Sequence, residues 1–215
     1  MSLLFQIPVS LLQILPGIFL VFPALLQLIA RIKGYAKSTP DFNPTNNFGL
    51  IITAYGDAEI SIPLIDSLLK QRYQNFVIYL VADSCDISNI NFSDDRLVIL
   101  EPAQKLGGKV KSILYAMDRY VTEHSYTIVF DPDNLAHPDY LGHMNNYFNK
   151  GYVAVQGQRT AKNLDTIYAC LDAMGEAYNN CTSRRVPFAI GSSATIAGSG
   201  MGVETLRYKA ILEKA

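Results

Sequence analysis

The chain has 215 residues, 49% of them hydrophobic and 17% charged, with a formal net charge of -1. That length carries one domain with a core of its own, plus a segment more apolar than a core requires. The near-neutral charge gives no basic field that would attract nucleic acid. Cys85, Cys170 and Cys181 form neither a metal-ligand spacing nor a disulfide framework, which fits buried or idle thiols in a reducing compartment.

In chain order, the first element is apolar. Pro8 to Ala30 holds no charged residue, and as a helix it is about 35 Å long, enough for a hydrocarbon layer of ~30 Å. Pro16 and Pro23 are tolerated better in membrane helices than in soluble ones. A cleaved signal peptide would need positive charge before the apolar run and a small-residue site after it, and neither is present. Arg31, Lys33 and Lys37 follow the run instead, which by the positive-inside rule puts the remainder in the cytoplasm. The expectation is an N-terminal transmembrane anchor over residues 1–32 and a cytoplasmic (inner) membrane location. A linker follows over 33–47, where KSTPDFNPTNN is polar with two prolines.

From Phe48 the pattern alternates. FGLIITAY reads as a strand, and Ile60, Leu64, Ile65, Leu68 and Leu69 mark one face of a helix running to Tyr73. Pro63 belongs in its first turn, with Asp57 or Ser61 near its cap. Strands follow at 76–82, 96–101, 127–130 and 152–157, with helices over 109–120, 140–148 and 164–178. ATIAG (194–198) is a short apolar segment, with a last helix from about Glu204. Strands alternating with helices predict an α/β fold with a mostly parallel sheet flanked by helices, spanning residues 48–215. In such sheets, ligands bind beyond the carboxyl ends of the strands. Ala54-Tyr55-Gly56-Asp57, Asp83-Ser84-Cys85-Asp86 and Asp131-Pro132-Asp133-Asn134 all fall there, so three acidic loops gather on one edge.

Asp131 and Asp133 are close enough to repel unless a cation lies between them or one stays protonated. Mg²⁺ or Mn²⁺ would take such oxygen ligands and complete its shell with water and substrate phosphates. The plainer alternative is a capped turn, with Asp133 or Asn134 starting the next helix. Gly107-Gly108-Lys109 opens a helix where backbone N–H groups and a lysine could meet phosphate, although Gly-Gly-Lys is also common in surface loops. Gly198 to Gly202 invites a dinucleotide reading, but too little chain follows for a second strand and a ribose-binding acid. His124, His137 and His143 lack ligand spacing and read as surface or helix-end residues.

Taken together, residues 48–204 resemble family 2 glycosyltransferases, in particular the membrane-bound cellulose- and poly-N-acetylglucosamine-synthase-like group. TAYGDAE, SLLKQRYQNFVIYLVADSCD, GGKVKSILYAM, FDPDN, GYVAVQGQRTAKN and IAGSGM match the family's segments in order. The resemblance implies an A-type glycosyltransferase fold, a UDP-linked or similar nucleotide-sugar donor, and an inverting transfer to a glycan or lipid acceptor in polysaccharide assembly. By position, Tyr55 and Asp57 would border the nucleotide and Asp83 would hydrogen-bond the base. Lys109 would sit near the base or diphosphate, Asp131 near the ribose or donor sugar, and Asp131 and Asp133 on the metal. Gly198, Ser199, Gly200 and Met201 would line the acceptor side. Thr53 and Gly56 depart from the family's usual Pro and Asn, and Asp86 comes a residue early.

The family's catalytic base belongs to a Glu-Asp motif tens of residues beyond the Gly-x-Gly segment. Only Glu204 and Glu213 follow Gly202, neither before an Asp, and no Trp is present for a Gln-x-x-Arg-Trp motif. The expectation is therefore the donor-binding part of a longer enzyme, with the base beyond Ala215. The alternative is an inactive donor-binding subunit that works with a partner. A dehalogenase-like phosphatase fits poorly, because three strands precede the Asp-x-Asp and Asn134-Leu135 follow it.

Overall fold

The structure, a computed structural model, describes residues 3–214. Met1, Ser2 and Ala215, the outermost residues of the expected anchor and domain, lie outside the described residues. The chain divides into two compact units: Ser38–Gln158 with Ile196–Ala215, and Met1–Lys37 with Arg159–Thr195.

The first unit is built on a six-stranded sheet. Its strands are β1 (Phe48–Tyr55), β2 (Phe76–Asp83), β3 (Leu97–Leu100), β4 (Tyr126–Phe130), β5 (Ala154–Gln156) and β6 (Met201–Glu204), in the order β3-β2-β1-β4-β6-β5. The β3-β2-β1-β4 half is parallel, and β6 runs antiparallel to both β4 and β5. The mixed sheet with flanking helices is the α/β class that the alternating pattern predicts. β1 and β2 bury both faces, which is why each reads as an unbroken apolar run rather than an alternating one.

Alternate residues along the strands serve two separate cores. Phe48, Leu50, Ile52, Ile78, Leu80 and Ile128 face one side, against Leu64 and Leu68 of α2 (Ile62–Leu69), reached from β1 through a 3-10 turn (Glu59–Ser61). Met144 and Phe148 of a later helix complete that side. Ile51, Tyr79, Val81 and Val129 face the other, against Ile113 and Met117 of α3 (Lys109–Met117). The later helix is α4 (Tyr140–Asn149). Gly202 of β6 passes so close to α4 that a Cβ there would lie 2.8 Å from Met144 and 2.9 Å from Phe148.

Several details differ from the sequence expectation. The segment 194–198 leads into β6 before the last helix of this unit. That strand forms through its pairing with β4 and not through its own glycine-containing sequence. α3 stops at Met117 and not Tyr120. His124 is a correction: it is a core residue, 6% exposed, wedged edge-on against the rings of Tyr79 and Tyr120. Its Nε2 pairs with the Tyr79 hydroxyl at 2.8 Å and its Nδ1 with Asn47 Oδ1 at 2.8 Å. Burial drives its pKa down to about 4.

The second unit is helical. It comprises α1 (Leu3–Lys33), α5 (Ile167–Asn179), a π-helical turn (Asn180–Arg185) and α6 (Val186–Ile190). Thr166 caps α5 by accepting from the Ala169 N–H, so the helix begins three residues later than Leu164. α6 packs on α1, Lys33 Nζ donates to the Ile190 carbonyl at 3.3 Å, and the Arg185 guanidinium lies 4.5 Å from the centre of the Tyr35 ring. Residues 16–33 of α1 have a mean hydropathy of 1.5 and are 6% buried, long and apolar enough to cross a bilayer. The chain's last helix, α7 (Thr205–Leu212), returns to the sheet unit, where Tyr208 joins the core.

Candidate functional site

The parallel half of the sheet sets the site. Register places Tyr55 opposite Asp83, and Ile52 opposite Phe130, so Asp131 leaves β4 one residue past that row. Sharp turns then redirect the chain: Gly56 after β1 has φ 76°, and Ser84 after β2 has φ 59°, the left-handed region that a non-glycine residue rarely enters. Tyr55, Asp83, Lys109 and Asp131 line one cavity of about 500 Å³, together with Lys105 and the glycines at 107 and 108. That volume is in the range of small-molecule sites.

Asp83 is 2% exposed, and its two carboxylate oxygens accept from the Leu106 N–H at 3.1 Å and the Gly107 N–H at 3.0 Å. Burial disfavours its charge, but those two donors, with Ser84 and Lys105, outweigh burial and hold the carboxyl below its usual range. Asp83 thus fastens the loop before α3. The Ser84 hydroxyl donates to the same carboxylate at 3.3 Å.

Lys105 and Tyr55 close the near side. The ammonium pairs with the Tyr55 hydroxyl and lies 4.8 Å from the ring centre. The hydrogen bond to Tyr55 raises the lysine's pKa and keeps it charged. Sequence reasoning did not single out Lys105, because its partner lies fifty residues away.

On the far wall Lys109, the first residue of α3, pairs with Asp131 Oδ1 and donates to the Gly198 carbonyl at 2.9 Å. Gly108 caps α3 without a side-chain acceptor, leaving the first N–H groups of a nine-residue helix beside that lysine. The segment after β4 is tied to the Gly198–Gly200 turn. The Asp131 N–H donates to Ser199 Oγ at 2.9 Å, Ser199 Oγ donates to Asn134 Oδ1 at 2.5 Å, and the Gly200 N–H donates to the Val129 carbonyl. Gly198 at φ 74° and Gly200 at φ 59° make this tight turn possible. Gln156 braces it, its amide donating to the Ser199 and Gly200 carbonyls and accepting from the Ala197 N–H.

Not every candidate lines the cavity. Asp57 accepts from the Glu59 N–H at 2.9 Å and starts the 3-10 turn. Met201 is a core residue on β6. Asp133 is exposed, two residues beyond Asp131, with Asn134 Nδ2 donating to its Oδ1 at 3.1 Å. The capped-turn alternative fails: the next helix is α4, whose cap is Asp139, so Asp133 and Asn134 begin no helix. Among the described residues, no group of three or more His, Cys, Asp or Glu is placed to hold a metal. Asp131 and Asp133 could together offer a cation two carboxylates, which would suit a hard ion that takes its other ligands from water and phosphate, and would suit poorly a site supplied wholly by protein.

A protein-family model described as "Glycosyltransferase like family 2" matches residues 44–214. Among curated proteins nothing matches the chain. The fold is similar to the mannosyltransferase PcManGT from Pyrobaculum calidifontis, solved with GDP-Man and Mn²⁺: TM-score 0.63, 14% identity, covering 88% of this chain and 54% of that one. The chain thus spans about half the length of that structure. S. aureus TarS 1-349 in complex with UDP-GlcNAc gives a TM-score of 0.49 at 16% identity, covering 56% of this chain and 36% of the other.

Proposed function

The chain belongs to glycosyltransferase-like family 2 and has the A-type glycosyltransferase fold, and on that footing we propose that it binds a UDP-linked sugar for transfer to a glycan or lipid-linked acceptor. The observation that carries this reading is the cavity itself. It joins a polar corner at Tyr55 and Asp83 to a phosphate-suited wall at Lys109 and the open N-terminus of α3. We assign the nucleoside to the first and the diphosphate to the second, with Asp57 at the nucleoside's border. The Gly198–Gly200 turn borders the acceptor side, and Met201, buried on β6, supports that turn from behind. Residues 1–32 serve as membrane anchor, 33–47 as linker, and the domain from 48 onward works at the cytoplasmic face. We place the chain with the cellulose- and poly-N-acetylglucosamine-synthase-like enzymes.

In the transfer, an acceptor hydroxyl gives its proton to a general base as its oxygen attacks the anomeric carbon and the bond from that carbon to the diphosphate oxygen breaks. The nucleoside diphosphate leaves with the electron pair, and the anomeric configuration inverts. Asp131 and Asp133 would hold Mg²⁺ or Mn²⁺, which when bound neutralises charge on the departing diphosphate. The mannosyltransferase of like fold was solved with Mn²⁺, which supports this choice. Lys109, paired with Asp131, stands on the phosphate-suited wall, where its ammonium can also donate to a phosphate oxygen.

Calorimetric titration of UDP with Mn²⁺ tests the site. Wild type should bind only with the cation, and Asp133→Ala should weaken binding by about tenfold or more, ~1.4 kcal/mol. Equal, metal-independent affinity in both proteins would remove the metal role. Binding without any sugar turnover would favour the donor-binding-subunit reading.

A further inference from the structure

α5 is built with an apolar face that none of the described residues covers. Ile167, Tyr168, Leu171, Met174 and Tyr178 are between 59% and 84% exposed. At 3.6 residues per turn they form one stripe about 120° wide. The half-buried Ala169, Ala173 and Glu176 lie on the other side, toward the protein. Such a stripe is the pattern that normally faces a core, yet α5 buries no residue at all.

We propose that this face rests on the lipid surface of the membrane that α1 enters, so that α5 is an interfacial helix. The inference rests on α1 being the anchor, as read above. Three observations favour lipid as the occupant. First, α5 continues through the π-helical turn into α6, which is fixed to the carboxyl end of α1 by the Lys33–Ile190 hydrogen bond and the Arg185–Tyr35 stacking. That is the end of a span where headgroups lie. Second, seven of the chain's 18 Lys and Arg fall in this helical unit, against three of its 19 Asp and Glu. The unit therefore carries a surplus of four positive charges in a chain of net charge -1, which suits anionic headgroups. Third, Tyr168 and Tyr178 put amphipathic rings on the stripe, the side chains that favour the water–lipid boundary.

The chain has no tryptophan, so single insertions report cleanly. The whole chain is reconstituted into vesicles of phosphatidylcholine and phosphatidylglycerol, without bromine or with it on the acyl chains, either near the glycerol (for positions 168 and 171) or near the chain end (for position 19). Tyr168→Trp and Leu171→Trp probe the face, while Ala177→Trp on the flank of α5, about 60° beyond the edge of the stripe, and Leu206→Trp on α7 are controls. Phe19→Trp reports the anchor. Emission from positions 168 and 171 should shift blue and lose most of its intensity to brominated lipid, and the two controls should keep a water-like emission. If position 19 is quenched while 168 and 171 stay wet, this inference is overturned and the anchor stands. If position 19 is also unquenched, the anchor fails and the inference falls with it. Emission at 168 that ignores brominated lipid but shifts with protein concentration would assign the face to a second copy, which also overturns it.

Discussion

In the sheet unit β2 keeps all but one of its side chains buried, whereas in the helical unit α5 buries none, and α1 leaves Phe19, Leu20, Val21 and Phe22 more than half exposed. The apolar content of the chain is therefore spent in two ways. In one unit it excludes water by closing on itself from both faces of a sheet. In the other it is held outward on helices that are fixed by α1–α6 packing and by the Arg184–Glu176 ion pair. Apolar pattern alone is the same signal in both, and only the partner surface distinguishes a core from a face awaiting another phase.

The largest expected effect breaks or keeps this contrast directly. Leu80 is fully buried in β2, and Leu80→Ala should cost about 2–5 kcal/mol by lost transfer energy and an unfilled cavity. Denaturant unfolding of the detergent-solubilised chain measures it. A cost below ~1 kcal/mol would show that the sheet core relaxes far more freely than its packing indicates.

Acid should act on the same unit through His124. Its ordinary pKa is 6.5 and burial lowers it to about 4 in the folded chain, so folding favours the neutral ring. The unfolded chain then binds the proton first as pH falls. Stability from this group is complete above pH 6.5, declines between 6.5 and 4, and is gone below 4, a total of up to about 3 kcal/mol. Unfolding midpoints at pH 7 and 4.5 should differ more in wild type than in His124→Phe, which cannot titrate there. Equal slopes would place the acid sensitivity elsewhere.

The fold was largely legible because its parallel strands are short apolar runs with the polar residues concentrated at their carboxyl ends, as in FGLIITAY and FVIYLVAD. β6 was not, since Met-Gly-Val-Glu has little strand character until β4 supplies its hydrogen bonds and α4 needs the bare Gly202. The site was legible where chemistry sits next to a strand end, at Asp83 and Asp131. It was hidden where a residue acts through distant partners: Lys105 through Tyr55, and Gln156 through the Gly198–Gly200 turn. His124 misled because a histidine near a helix end is polar in composition, while two tyrosine rings and Asn47 make its place a core.

The smallest expected effect is the sharpest for the helical unit. Leu171 is 59% exposed on α5, so its truncation removes little transferred area and leaves no cavity. Alanine is also slightly the better helix former. In detergent, Leu171→Ala should therefore change stability by less than about 0.5 kcal/mol, against several for Leu80→Ala. The same chemical deletion then reads the two environments, one closed by protein and one open. A loss above ~1 kcal/mol at Leu171 would mean that protein already covers the α5 face in solution, and the contrast between the units would collapse.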